Sequence, residues 1–248
     1  KDFSLVQKPF KKEALNKIVE IFSFYRIKQY RLFQKCLNQT VDHIKNYSSK
    51  ELAAILSLYD QWDEINERVL ETFFNFISFS ELDFDEKLKI LSVCEQCEFS
   101  RPVLSSELMK AVYQQNQEMS SQDLLILLRY FDRIGLQDQN LFMKLAEGFF
   151  SKISSFSFKD LFSIIKIYHD KKICPIDLFH LIAGKFGSEI RRINKEEALF
   201  LAKAFYDFHI ADKQLFEILS KKIFSQISEL SLDEIITAVK VFENSLPD

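Results

Sequence analysis

The sequence predicts an all-α protein, an α-solenoid of about six 37-residue helical-hairpin repeats plus a terminal half repeat, on two observations. First, only 4 glycines and 4 prolines occur among 248 residues, where average usage supplies about 17 and 12. That scarcity argues against barrels, sandwiches and phosphate-cradling loops, which need residues tolerant of unusual backbone angles. Second, the chain repeats itself. Asp123-Leu124-x-x-Leu127-Leu128-x-Tyr130-Phe131 recurs 37 residues later as Asp160-Leu161-x-x-Ile164-Ile165-x-Ile167-Tyr168. Glu197-Ala198-x-x-Leu201-Ala202-x-Ala204-Phe205 follows, then Glu234-Ile235-x-x-Ala238-Val239-x-Val241-Phe242. A fixed period of this kind is left by short helical hairpins that cannot bury their faces alone.

Backwards, the anchor falls at Glu86, Glu51 and Ala14, and only the step from 51 to 86 is short, at 35. Apolar residues one, four, five and eight positions after each anchor share one face of a 3.6-residue helix, so each anchor opens a first helix with a single buried stripe. An acid at that start suits the helix dipole. A second stripe begins 18 residues after each anchor, at Leu32, Val69, Leu104, Leu141, Leu178 and Leu215. It continues at four-residue steps, as in Leu141, Leu145, Phe149, Ile153, and marks the second helices. Pro102 and Pro175 fall just before two of these, a position at which a missing amide is harmless. The whole of 1–248 therefore reads as a single helical-repeat domain, with an unpaired first helix from about Glu234.

Asp123 to Leu141, with Gly135 between its helices and Asp138 before the second, resembles the repeats of heptatricopeptide and octotricopeptide proteins. That group includes the Fas-activated-kinase-like and RAP-domain proteins. The positions equivalent to Gly135 hold Asp63, Glu98, Lys172 and His209, and no RAP domain is visible. The resemblance implies mitochondrial or chloroplast RNA metabolism, or a ribosome-associated role.

Charge is unevenly spread. Residues 1–50 carry 11 Lys/Arg against 4 Asp/Glu, residues 51–119 carry 5 against 14, and the remainder is nearly balanced. A basic leading end suits an acidic partner, nucleic acid or an anionic membrane surface, or is simply a solvated face. No stretch approaches the roughly 18 uncharged apolar residues of a membrane span. Four cysteines in a chain of this length are not expected to form a secreted disulfide framework.

One column points to a ligand. Six residues after the anchor stand Arg129, Lys166, Lys203 and Lys240 in the last four repeats, opposite the buried stripe. Such a cationic ladder suits an RNA phosphate backbone, although helix propensity alone also places Lys and Arg on exposed positions. Asp132, Asp170, Asp207 and Glu243 lie three or four residues on and are expected to pair with it. For a protein partner, the candidate contacts are the basic segment at Lys8, Lys11 and Lys12 and the acidic segment at Asp63, Glu64 and Glu67.

Cys94-Glu-Gln-Cys97 is a lone CxxC. It lacks the second ligand pair of a zinc site and the βαβ setting of a thioredoxin-like site, so both cysteines are expected in the core. His43, His169, His180 and His209 are scattered, and no nucleophile elbow, P-loop or dinucleotide fingerprint is present. No cofactor, no metal and no enzymatic activity are expected. Phe149, Phe186 and Phe205 are expected in the core, while Phe76, Phe79, Phe156 and Phe158, near the turns between repeats, are candidates to reach a partner. The resulting expectation is a non-enzymatic binding subunit of a large mitochondrial assembly, associated with RNA. The alternative is a protein-protein scaffold or an accessory subunit of a respiratory-chain complex.

Overall fold

A computed structural model describes residues 11–25, 30–57, 67–96, 102–189 and 193–245. Among them are thirteen α-helices and no strand, so the fold class is all-α. No helix among the described residues is long and apolar enough to cross a membrane. Contacts divide the chain into two compact units, Lys1–Lys110 and Ala111–Asp248.

The first unit holds α1 (Lys12–Tyr25), α2 (Tyr30–Asp42), α3 (Ser49–Ser57), α4 (Glu67–Phe76), α5 (Phe84–Gln96) and the start of α6 (Pro102–Gln115). Here α2 packs on α1 and α4, and α3 on α4 and α5. Cys36, Leu52, Leu56, Leu70, Phe73, Ile90 and Leu91 are fully buried. The second unit holds the rest of α6, then α7 (Ser121–Arg133), α8 (Gln139–Phe150), α9 (Phe158–Asp170), α10 (Ile176–Glu189), α11 (Lys195–Asp207), α12 (Lys213–Phe224) and α13 (Leu232–Ser245). Helices α7, α9, α11 and α13 pack in succession, as do α8, α10 and α12, and α7, α9 and α11 each pack on the helix that follows.

The acidic anchors do more than meet a dipole. Each is the third residue of its helix and closes a reciprocal capping box, which satisfies two orphan amides at once. Ser120 with Asp123, Ser157 with Asp160 and Asn194 with Glu197 open α7, α9 and α11 in this way. Ser48 with Glu51, Asp83 with Glu86 and Ser231 with Glu234 make the same paired hydrogen bonds. The residue before each of the first five of these caps, Tyr47, Leu82, Met119, Phe156 and Ile193, is buried and fixes the entry of the chain. Asp138 and Asp212 cap α8 and α12 by accepting from the amides of Leu141 and Leu215.

The ends of α7, α9 and α11 are equally regular. Gly135, Lys172 and His209 have φ of 69°, 57° and 55°. The amides of Leu136, Ile173 and Ile210, one residue further on, donate to the carbonyls of Phe131, Tyr168 and Phe205. These are Schellman ends, in which a left-handed residue lets two carbonyls find donors. Only the first uses glycine, and a side chain in this conformation costs roughly 1–2 kcal/mol. Lys172→Gly and His209→Gly are therefore each expected to raise stability by about 0.5–1 kcal/mol, after allowing for the greater freedom of glycine in the unfolded chain. Denaturant midpoints measure this, and a fall in both would refute the strain.

Gly148 marks a close approach. A Cβ there would lie 2.9 Å from a Leu124 methyl and 3.0 Å from the Asn116 carbonyl, so glycine lets α8 come against the start of α7.

Candidate nucleic-acid interface

Because the capping boxes fix the register of α7, α9, α11 and α13, the residues six places after the acids occupy equivalent positions on successive helices. These are Arg129, Lys166, Lys203 and Lys240, and all four are exposed. The guanidinium of Arg129 is tied to the next hairpin: it lies 3.2 Å from the Asp160 carboxylate and donates to the Ser163 hydroxyl at 3.5 Å. Among the described residues, the ammonium groups of Lys166 and Lys203 have no hydrogen bond or ion pair.

Three of the acids expected beside the ladder, Asp132, Asp170 and Asp207, meet other partners. Asp132 lies 3.2 Å from the nearly buried ammonium of Lys171, which also donates to the Leu136 carbonyl and sits 5.5 Å from the centre of the Phe142 ring. Asp207 accepts from His169 Nε2 at 2.9 Å, and Asp170 lies 3.8 Å from His169 Nδ1. Glu243 is exposed. For Asp132 and Asp207 the partner comes from the neighbouring hairpin, Lys171 and His169 respectively.

The partner-binding candidates divide. Lys11 is exposed just ahead of α1. Lys12 is engaged with other residues of the chain: it lies 2.8 Å from Glu51, donates to the Asn46 carbonyl and sits 5.0 Å from the centre of the Tyr47 ring. The Lys12 hydrogen bond, with that of the Ser48 amide, holds the Glu51 carboxyl below its ordinary pKa. Lys8, Asp63 and Glu64 lie outside the described residues, as does the side chain of Glu67 at the start of α4.

Cys94 is 2% exposed, and Cys97 lies outside the described residues. Cys36 is fully buried, and desolvation pushes its thiol up to about 11. Since the thiolate is the reactive species, Cys36 is expected to remain unmodified by a thiol reagent at pH 7 until the chain unfolds. Labelling followed by mass spectrometry reads this, and labelling of the native protein at the rate of a free thiol would contradict it. Among the described residues no group of three His, Cys, Asp or Glu is placed to hold a metal ion.

Phe149, Phe186 and Phe205 are buried in the core. So are Phe79 and Phe156, which removes them as partner contacts: Phe79 stacks on Phe74 at 5.9 Å, and Phe156 meets the Phe149 ring at 5.4 Å. Phe158 is half-buried against Phe186, and Phe76 is exposed.

Sequence reasoning missed the aromatic pair beside the ladder. Phe162 on α9 and Phe200 on α11 are half-buried, with ring centres 5.3 Å apart. Phe162 precedes Lys166 by four residues and Phe200 precedes Lys203 by three, so each ring shares a helix face with its cation. An aromatic one turn before each cation was the available signal. Compared with family models and with curated proteins, the chain matches none.

Proposed function

We propose that the hairpins form one α-solenoid of about six repeats plus a half repeat, and that this solenoid is a non-enzymatic binding subunit of a large mitochondrial assembly containing RNA. The capping boxes and the left-handed helix ends, recurring at 37-residue steps, support the repeat reading. The mitochondrial and ribosomal setting rests on the resemblance to heptatricopeptide and octotricopeptide repeats.

The observation that carries the RNA reading is the column Arg129, Lys166, Lys203 and Lys240, one exposed cation on each of four successive first helices. Packed helices stand roughly 8–10 Å apart, so the column offers spaced charges to a flexible strand, each phosphate contact adding affinity by counterion release. The test is whether the protein purifies with RNA after nuclease-free lysis and sediments with ribosomal particles. Nuclease-insensitive sedimentation without bound RNA would favour the scaffold instead.

One feature favours that second reading, a protein scaffold or an accessory subunit of a respiratory-chain complex. Leu232 is 73% exposed, and Ile236, Val239, Phe224 and Ile227 at the α12–α13 end are also open. At the equivalents of Val239, namely Leu128, Ile165 and Ala202, the same face is fully buried.

A further inference from the structure

We infer that Phe162 and Phe200 form a stacking platform for a base of single-stranded RNA, with Lys166 and Lys203 holding the flanking phosphates. This rests on the proposed RNA reading and adds to it a named subsite for unpaired bases. Charge alone does not distinguish single from double strands, whereas an aromatic face is of use only to a base that is free to leave its stack.

The geometry supports it at three points. On helices turning 100° per residue, Phe162 and Lys166 are separated by about 40° around α9, and Phe200 and Lys203 by about 60° around α11, so rings and cations face one way. The two rings stand 5.3 Å apart at 57°, offering a bent apolar wall rather than a closed sandwich. Each also meets a further ring on α9. Phe158 stacks on Phe162 at 6.3 Å, and the ring of His169, fixed by its 2.9 Å hydrogen bond to Asp207, meets Phe200 at 5.4 Å and 85°. A wall fixed in this way loses little side-chain freedom when a base settles on it.

Charge complementarity selects the occupant. Lys166 and Lys203 are exposed without a hydrogen bond or ion pair among the described residues, so phosphates meet them without displacing a carboxylate. In contrast, the neighbouring Arg129 is already engaged with Asp160. Two open cations, each with an aromatic ring one turn before it on the same helix face, offer a single strand both of its contacts, phosphate and base.

The experiment uses the full chain and two labelled probes, a single-stranded oligouridine of about twelve nucleotides and an abasic ribose-phosphate strand of the same length, titrated at several salt concentrations. Phe162→Leu with Phe200→Leu, which keeps much of the apolar bulk, is expected to weaken oligouridine binding about tenfold or more. Its salt slope and its binding of the abasic strand should not change. Lys166→Gln with Lys203→Gln should lower the slope for both probes by about 1.4. If the double leucine variant is unfolded by circular dichroism, Phe162→Leu alone makes the same comparison. A leucine variant that binds oligouridine as the wild type does overturns the platform and leaves the RNA reading standing. A wild-type protein that binds neither probe overturns both. Capture of an acidic Glu-Tyr copolymer through the same four residues, with oligouridine unbound, overturns the platform in favour of a protein ligand.

Discussion

Phe205→Ala is expected to destabilise the second unit by about 3–5 kcal/mol, the range for removing a fully buried aromatic ring without collapse of its site. Phe205 is 0% exposed, its ring lies 5.3 Å from that of Phe179, and its carbonyl accepts the Ile210 amide that closes the end of α11. The deletion therefore opens a cavity between α11 and α10 of the preceding hairpin, beside the turn that joins α11 to α12. Against a typical total of about 5–15 kcal/mol, such a loss is a large part of stability. In the repeat array proposed above the loss would act locally, because each hairpin would be stabilised by its neighbours. Denaturation followed by circular dichroism should show the midpoint fall, or the transition split in two. Ile176→Ala is the control: Ile176 is 51% exposed, and its loss should stay within about 0.5 kcal/mol. Equal effects of the two substitutions would mean that the stripes read as buried are not what holds the hairpins together.

Helix positions were legible because the forces that set them are local. A polar cap, an acid three residues on and apolar residues at helical spacing all lie within one turn or two, so they leave a period in the chain. Even so, the acids at 123, 160 and 197 read as dipole partners, and the paired hydrogen bonds with Ser120, Ser157 and Asn194 emerged only in three dimensions. The left-handed ends at Lys172 and His209 were hidden because glycine, the residue that announces them, is present only at Gly135. Ion pairs were the least legible. Asp132 with Lys171 and Lys12 with Glu51 are 39 residues apart in sequence, and no helical periodicity within one element reports such pairs. The cationic column was legible for the reason the helices were, since exposure follows from register. The Phe162–Phe200 pair was not, because its two rings come from different hairpins and occupy different positions relative to their anchors.

Changing Arg129, Lys166, Lys203 and Lys240 together to Gln is expected to lower the salt slope of single-stranded RNA binding by up to about 3. Four phosphate contacts each contribute about 0.7. At 0.1 M salt the same estimate predicts an affinity loss on the order of several hundredfold. Arg129 sets the lower bound. Its pair with Asp160 is partly exposed, with 42% and 30% of the two side chains accessible, and such a pair is worth at most about 1 kcal/mol. If Arg129 keeps that partner in the complex, three contacts remain and the slope falls by about 2. Helix content should hold, because glutamine is nearly as good a helix former as lysine and all four positions are exposed. The scaffold reading predicts the opposite pattern. The quadruple variant would then assemble as the wild type does, while Leu232→Glu with Val239→Glu on the open face of α13 would abolish assembly without touching the salt slope. An unchanged RNA affinity and slope in the quadruple variant would sink the ladder even if the protein sedimented with ribosomes, because an assembly can hold a subunit through protein contacts alone.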